Sequence, residues 1–182
     1  MSHRAGPVIR LARPDEGALL RDVELASGRL FADLGMHEVA AAAPSWVEHW
    51  PDHQAAGLVW VADQGSGPVG FALAEVVDAN LHLEQLSVRP EHCRRGIGSA
   101  LVEQVVSHAQ DVGLPAVTMS TFRDVAFNGP FYRRRGFREL ADHELTEGLR
   151  QRRLNEESHG LDLRTRAMMR RDVGQPLPRL ER

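Results

Sequence analysis

Lysine is missing from this chain altogether, so all 22 of its basic residues are arginines. That absence removes one class of function, because the phosphate loop of nucleotide triphosphatases, Gly-x-x-x-x-Gly-Lys-Ser/Thr, needs the lysine ammonium. Only one cysteine is present, Cys93. It can form no intrachain disulfide and anchor no cysteine zinc site, which fits a reducing compartment. Aromatic residues amount to 5% of the chain and include a single tyrosine. Neither sign of charge dominates: 22 basic against 25 acidic residues leave a net charge of -3, which is not the balance of a nucleic-acid binder. No apolar run approaches the roughly 18 residues of a bilayer-spanning helix, and Met1 to Gly6 lack the apolar core of a targeting segment. The expectation is a cytoplasmic protein with no membrane or nucleic-acid partner. His49 and His53 lie four apart, but Pro51 separates them and the His-Glu-x-x-His pattern is absent, so no metal site is expected.

What is present is 42% hydrophobic content over 182 residues, enough for one well-buried domain spanning 1–182. Its last residues, 174–182, contain Pro176 and Pro178 and are expected to be a loosely ordered tail. Val8 to Leu11 reads as a strand, and Pro14 with Asp15 and Glu16 opens a helix that Gly35 ends or kinks. From Met36 to Pro51 the pattern is compatible with a second helix or a loop-helix hybrid broken at Pro44. Leu58–Ala62, Val69–Val77 and Leu81–Val88 form a meander joined by the turn signals 63–68 and 78–80. Gly98–Asp111 has helical apolar spacing with Gly113 as a stop, and Ala116–Thr121 is again a strand. A short helix is expected over Asp124–Arg135, extended chain at Phe137–Leu140, a helix at Leu145–Glu157 and a last strand at Leu163–Val173.

Between the third meander strand and the next helix stands Arg89-Pro90-Glu91-His92-Cys93-Arg94-Arg95-Gly96-Ile97-Gly98-Ser99. A loop of this kind leaves the backbone able to approach an anion, with the N–H groups of the following helix's first turn aimed at it. Taken alone, Gly96-x-Gly98 is equally a tight turn before a helix. A dinucleotide-binding fold would need a small residue where Leu101 stands, which weakens that reading.

Downstream, Asn128, Tyr132, Gly136 and Phe137 fall into the pattern Asn-x-x-x-Tyr-x-x-x-Gly-Phe. Together with Leu86-Ser87-Val88-Arg89-Pro90 and Cys93-Arg94-Arg95-Gly96-Ile97-Gly98, in that order along the chain, it makes the sequence resemble the GNAT superfamily of N-acetyltransferases. Cys93 departs from the family's Gln or Arg; the backbone donors survive that change, and the side-chain contribution is either lost or taken over by Arg94. The resemblance implies an α/β fold (an α+β mixed sheet) of about seven strands flanked by helices and splayed at the cofactor site. It also implies acetyl-CoA as cosubstrate and a small-molecule or peptide amine as acceptor, and it is compatible with a homodimer.

Residue by residue, the resemblance assigns the pyrophosphate to the backbone of Arg94, Arg95, Gly96, Ile97, Gly98 and Ser99, with the two arginines adding charge-assisted contacts. Main-chain groups of Leu86, Ser87 and Val88 would hold the pantetheine arm, and the Val88 N–H would polarise the thioester carbonyl. Asn128 would contact the same arm. Glu84 is the first candidate for the base that deprotonates the amine and His82 the second, since period two places both on one face of the strand. Tyr132 matches the usual general acid. For the acceptor wall the candidates are Phe31, Met36, His37, Trp46, Trp50 and Glu75, although tryptophans four apart read more readily as core. Cys93, in the phosphate loop, is a poor acyl nucleophile, so direct transfer in a ternary complex is expected. A non-catalytic acyl-CoA-binding module is the competing function.

Overall fold

The computed structural model describes residues 7–174, so all of the expected tail except Gly174 lies outside the described residues. The strands are β1 (Val8–Leu11), β2 (Val59–Asp63), β3 (Pro68–Val77), β4 (Asn80–Val88), β5 (Ala116–Phe122), β6 (Arg138–Glu139) and β7 (Arg166–Asp172). The helices are α1 (Gly17–Ala32), α2 (His37–Ala41), α3 (Trp50–Ala55), α4 (Ile97–Asp111), α5 (Gly129–Arg133) and α6 (Glu147–Ser158). One seven-stranded sheet runs in the order β1-β2-β3-β4-β5-β7-β6. It is mixed: β1 and β2 pair antiparallel, as do β2 and β3, whereas β4 and β5 are parallel. The parallel ladder comprises Leu81–Val117, His82–Thr118 and Leu83–Met119, and β4 continues as strand for five more residues, Glu84 to Val88.

By contact density the chain divides into two compact units. The first runs to Ala74 and takes in Gln85–Gln104; the second takes Glu75–Glu84 and the chain from Val105 onward. In the first, Leu20 and Val23 of α1 pack with Trp46, Val59 and Val61 of β2, and Phe71 and Leu73 of β3. The three-residue spacing of Leu20, Val23 and Ala26 is the buried stripe of α1. Below that stripe sits a buried carboxylate, Glu16, 2% exposed, gripped by Arg10 through bonds of 2.6 and 2.9 Å. The same guanidinium reaches Asp63 at 2.7 Å, tying β1, the turn before α1 and β2 together. In the second unit, Leu140, Leu145, Leu149 and Met168 form a core with Val77.

Two elements differ from the sequence reading. The helix expected from Asp124 begins only at Gly129, because Pro130 has no N–H to donate and fits a helix only in its first turn. Residues 36–51 resolve into α2 and a 3-10 turn at Ser45–His49 that leads directly into α3. The β3–β4 connection is a two-residue turn, Asp78-Ala79, with both residues left-handed at φ 48° and 59°. Positive φ at both central positions matches the strand twist of a tight hairpin.

Candidate active site

In the first unit, β4 ends in a loop whose shape is set by two left-handed residues, Arg94 at φ 57° and Gly96 at φ 80°. For arginine that conformation costs about 1–3 kcal/mol, strain that proteins tend to retain at ligand clamps. Loops that pass through left-handed residues commonly turn successive N–H groups toward one side, a geometry suited to anions. The first helical hydrogen bond of α4 runs from Ala100 N–H to the Gly96 carbonyl, 2.9 Å. The loop is anchored from within by Ile97, 1% exposed, while Arg94 and Arg95 project outward. Gly98 and Ser99 lie half-buried in the first turn. The Cys93 sulfur turns back on the strand, toward the carbonyls of Val88 and Arg89 at 3.8 and 3.6 Å, so it contributes packing rather than a phosphate contact.

Behind this loop β3 and β4 approach closely. A Cβ at Gly70 would lie 2.9 Å from the Ser87 carbonyl oxygen and 3.1 Å from the Val88 side chain. Ser87 itself is buried, and its hydroxyl oxygen accepts from Ser27 at 3.1 Å and from Gln85 at 2.8 Å. Both acceptor positions of its hydroxyl are thus used within the protein. Leu86 and Val88 are half-buried.

In the second unit His82 and Glu84 share one face of β4, with His82 Nε2 3.8 Å from Glu84 Oε2. The His82 ring is buried and its Nδ1 is hydrogen-bonded with the Thr118 hydroxyl at 2.9 Å. Burial, assisted by the Arg152 charge, pushes its pKa down to about 3, so it is neutral and weakly basic across the physiological range. Glu84 goes the other way. Although Glu84 is exposed along its strand, partial desolvation by its neighbours raises its proton affinity; Arg152 opposes the rise, Glu75 and Glu156 add to it, and the net direction is upward. Arg152 of α6 bridges the two carboxylates, bonding Glu84 through Nη1 and Glu75 through Nη2, the latter at 2.6 Å.

Tyr132 is 6% exposed and flanked edge-on by the rings of Phe131 and Phe137, at centroid distances of 4.9 and 5.7 Å. Burial raises its phenol above the ordinary tyrosine value against smaller opposing contributions from Arg135 and Arg166, so it is protonated at neutral pH. Asn128 is held by the Thr121 hydroxyl, which donates to its Oδ1 at 3.0 Å, leaving the amide nitrogen to serve as donor. Its carbonyl accepts from the Tyr132 N–H at 3.0 Å, so the Asn and Tyr of the motif are coupled through one turn of backbone.

The residues proposed for the acceptor wall divide. Trp46 is 4% exposed, stacks edge-on against Trp50 and Phe71, and donates to Glu24 at 2.6 Å. Trp50 donates to the Pro14 carbonyl at 2.9 Å, and its indole fills the space a side chain at Gly17 would need. Both tryptophans are thereby committed to the packing of the first unit. Phe31 and Met36 are half-buried and His37 is exposed. Glu75 already has a cationic partner in Arg152.

A family model described as an acetyltransferase (GNAT) domain matches residues 55–139, a stretch that contains the Leu86–Ser99 loop, Asn128 and Tyr132. Over that stretch the chain is similar to GNAT acetyltransferase domains. It is 28% identical over 103 residues to a protein of Escherichia coli K12 described as an uncharacterized N-acetyltransferase, YafP. That match covers 57% of this chain and 61% of the relative, so the chain spans about three fifths of the curated relative's length. Among solved structures, the PaiA N-acetyltransferase of Thermoplasma acidophilum, crystallised with coenzyme A, superposes with a TM-score of 0.68 at 18% identity. The superposition covers 92% of this chain and 99% of that one. A GNAT-family acetyltransferase of Staphylococcus aureus Mu50 gives a TM-score of 0.70 at 14% identity, over 91% and 98% of the two chains. The fold is the GNAT fold. The sequence reading singled out the loop, the tyrosine and both strand candidates for the base, but not Arg152, Thr118 or Thr121, which the structure places against Glu84, His82 and Asn128. Arg152 lies among Arg150 and Arg153 on a polar helix, where nothing local sets it apart.

Proposed function

We propose that this GNAT domain transfers the acetyl group of acetyl-CoA directly to a primary amine in a ternary complex. The observation that carries the reading is the placement of the Glu84 carboxylate on β4, its Oε2 3.8 Å from Nε2 of the buried His82 ring. The loop fits the donor: the concavity around Arg94 and Gly96 offers N–H groups to the pyrophosphate, and Arg94 and Arg95 supply positive charge to the phosphates. The backbone of β4 from Leu86 to Val88 would pair with the pantetheine arm as an added strand, with the Asn128 amide as a further donor to it.

In the transfer step, Glu84 accepts a proton from the acceptor ammonium, directly or through water, because an alkyl ammonium has no lone pair with which to attack. The freed amine nitrogen bonds to the acetyl carbonyl carbon, and the Val88 N–H stabilises the negative charge that develops on the carbonyl oxygen. The carbon–sulfur bond then breaks, the electron pair leaves on sulfur, and the Tyr132 hydroxyl supplies the proton that makes the free thiol, while the nitrogen gives up its second proton through water and so restores the phenol. His82, neutral, orients the Glu84 carboxylate rather than taking the proton itself.

The test is free-thiol release from acetyl-CoA across a panel of small amines and peptide N-termini, with cofactor binding followed separately by thermal shift. Amine-dependent thiol release is expected. Binding of acetyl-CoA with no turnover on any amine would instead favour an acyl-CoA-binding module.

A further inference from the structure

The β3–β4 hairpin and α6 are locked together in a way that does more than bury apolar surface. Gly148, in the first turn of α6, donates its N–H to Asp78 Oδ2 at 2.7 Å. A Cβ at Gly148 would fall 2.6 Å from the Val77 side chain, so only glycine allows the helix to come this close to the turn. Leu149, 2% exposed, fastens the same helical turn into the core with Leu140, Leu145 and Met168. Residues 148, 152 and 156 follow at four-residue intervals and share one face of the helix. One turn beyond the docked Gly148, therefore, Arg152 is delivered to the pair Glu75 and Glu84, which lie on the two strands leading into and out of that hairpin. A turn further on, Glu156 pairs with Arg166 of β7 at 2.6 Å, and Arg166 also donates to the Ser120 hydroxyl at 3.1 Å.

We propose that Arg152 is a positioning residue for Glu84: by bridging Glu75 and Glu84 it fixes where the Glu84 carboxylate sits above His82 and how readily that carboxylate takes up a proton. The proposal rests on Glu84 being the base. Five groups bear on Glu84 from the elements around it: Glu75 on β3, His82 on β4, Arg152 and Glu156 on α6, and Arg166 on β7 through its bond to Glu156. Of these Arg152 is the one cation bonded to Glu84 itself, and Glu75 competes for it. Two opposite consequences follow. Without the guanidinium, Glu84 faces Glu75 with no shared counter-charge, so its proton affinity rises further. Without the Glu75 charge, Arg152 serves Glu84 alone, so its proton affinity falls.

The experiment reads Glu84 in two ways. Carboxyl carbon NMR titration, with the Glu84 signal assigned by its loss in Glu84→Gln, measures the group without reference to activity. The pH profile of kcat/KM for acetyl transfer measures the base in use. In Arg152→Gln the Glu84 titration and the acid limb of the profile are expected to move up by about 1 pH unit or more, and in Glu75→Gln both are expected to move down. Arg152→Lys, whose single ammonium can hold one carboxylate but not bridge two, should fall between wild type and Arg152→Gln. A merely structural role would lower activity in these variants without opposite displacements. If the NMR titration of Glu84 is unchanged in Glu75→Gln and in Arg152→Lys, the proposal is overturned. If the titrations move as stated while the acid limb stays fixed, Arg152 positions Glu84 as proposed, and it is the assignment of Glu84 as base that fails.

Discussion

In the proposed reaction Tyr132 and Glu84 face opposite demands, and each environment suits its own. The phenol must keep its proton until the thiolate leaves, and burial between Phe131 and Phe137 holds it protonated. Tyr132→Phe is expected to lower kcat about tenfold, at the modest end of general-acid effects because a thiolate is already a tolerable leaving group, with acetyl-CoA affinity unchanged by titration calorimetry. Glu84 must lose its proton to work as a base, yet hold it firmly enough to take one from an ammonium. Glu84→Gln should reduce turnover about 10²–10⁴-fold in the thiol-release assay while leaving acetyl-CoA binding intact. At this scale the sequence was legible where a motif carries meaning: the single tyrosine, spaced four residues from Asn128 and four from Gly136, stood out through the resemblance. The ionisation of His82 could not be read, since it depends on burial that a strand's alternation suggests but does not measure.

Among the elements, the β3–β4 approach and the β1–α1 junction have most at stake. Gly70→Ala places a methyl group 2.9 Å from the Ser87 carbonyl, so the end of β4 must shift. A loss of about 1–3 kcal/mol in urea unfolding is expected, together with a raised KM for acetyl-CoA, because the displaced backbone is the part proposed to bind it. At the β1–α1 junction, Arg10→Ala would leave Glu16 buried without its main counter-charge, at a cost of about 3–5 kcal/mol by the same measurement. Burial pulls the Glu16 pKa up, but the Arg10 hydrogen bonds and the Arg13 N–H outweigh it, and the net shift is down. A carboxylate so depressed contributes stability above its unfolded pKa of about 4.3, and that contribution is lost as pH falls through the lower folded value. Wild type should therefore lose stability on acidification below about pH 4.3 more steeply than Arg10→Ala does. Element identities were largely readable from apolar spacing. The late start of α5 shows the exception: helical composition extended back to Asp124, and Pro130 overruled it.

For the whole molecule the proposed working state is the one with acetyl-CoA bound, and ligand that binds only the folded chain raises its stability by mass action. At a hundredfold excess over Kd the gain is about 2.7 kcal/mol, or roughly 5–10 °C in melting temperature for a chain of this size. Dephospho-CoA at the same concentration should give a smaller shift, since it lacks the 3′-phosphate that Arg94 or Arg95 would contact; equal shifts would remove both arginines from that role. Sequence by itself determined the order of strands along the chain and singled out the Arg89–Ser99 loop and the Asn-Tyr motif, because each is written in residues close together, where spacing and backbone chemistry are local. Only the tertiary structure decided the charge environment of the proposed base. Arg152 meets Glu84 across 68 residues of chain, and His82 is neutral because the fold encloses it. Ionisation answers to desolvation and to charges delivered by distant segments, and no periodicity along the chain encodes either.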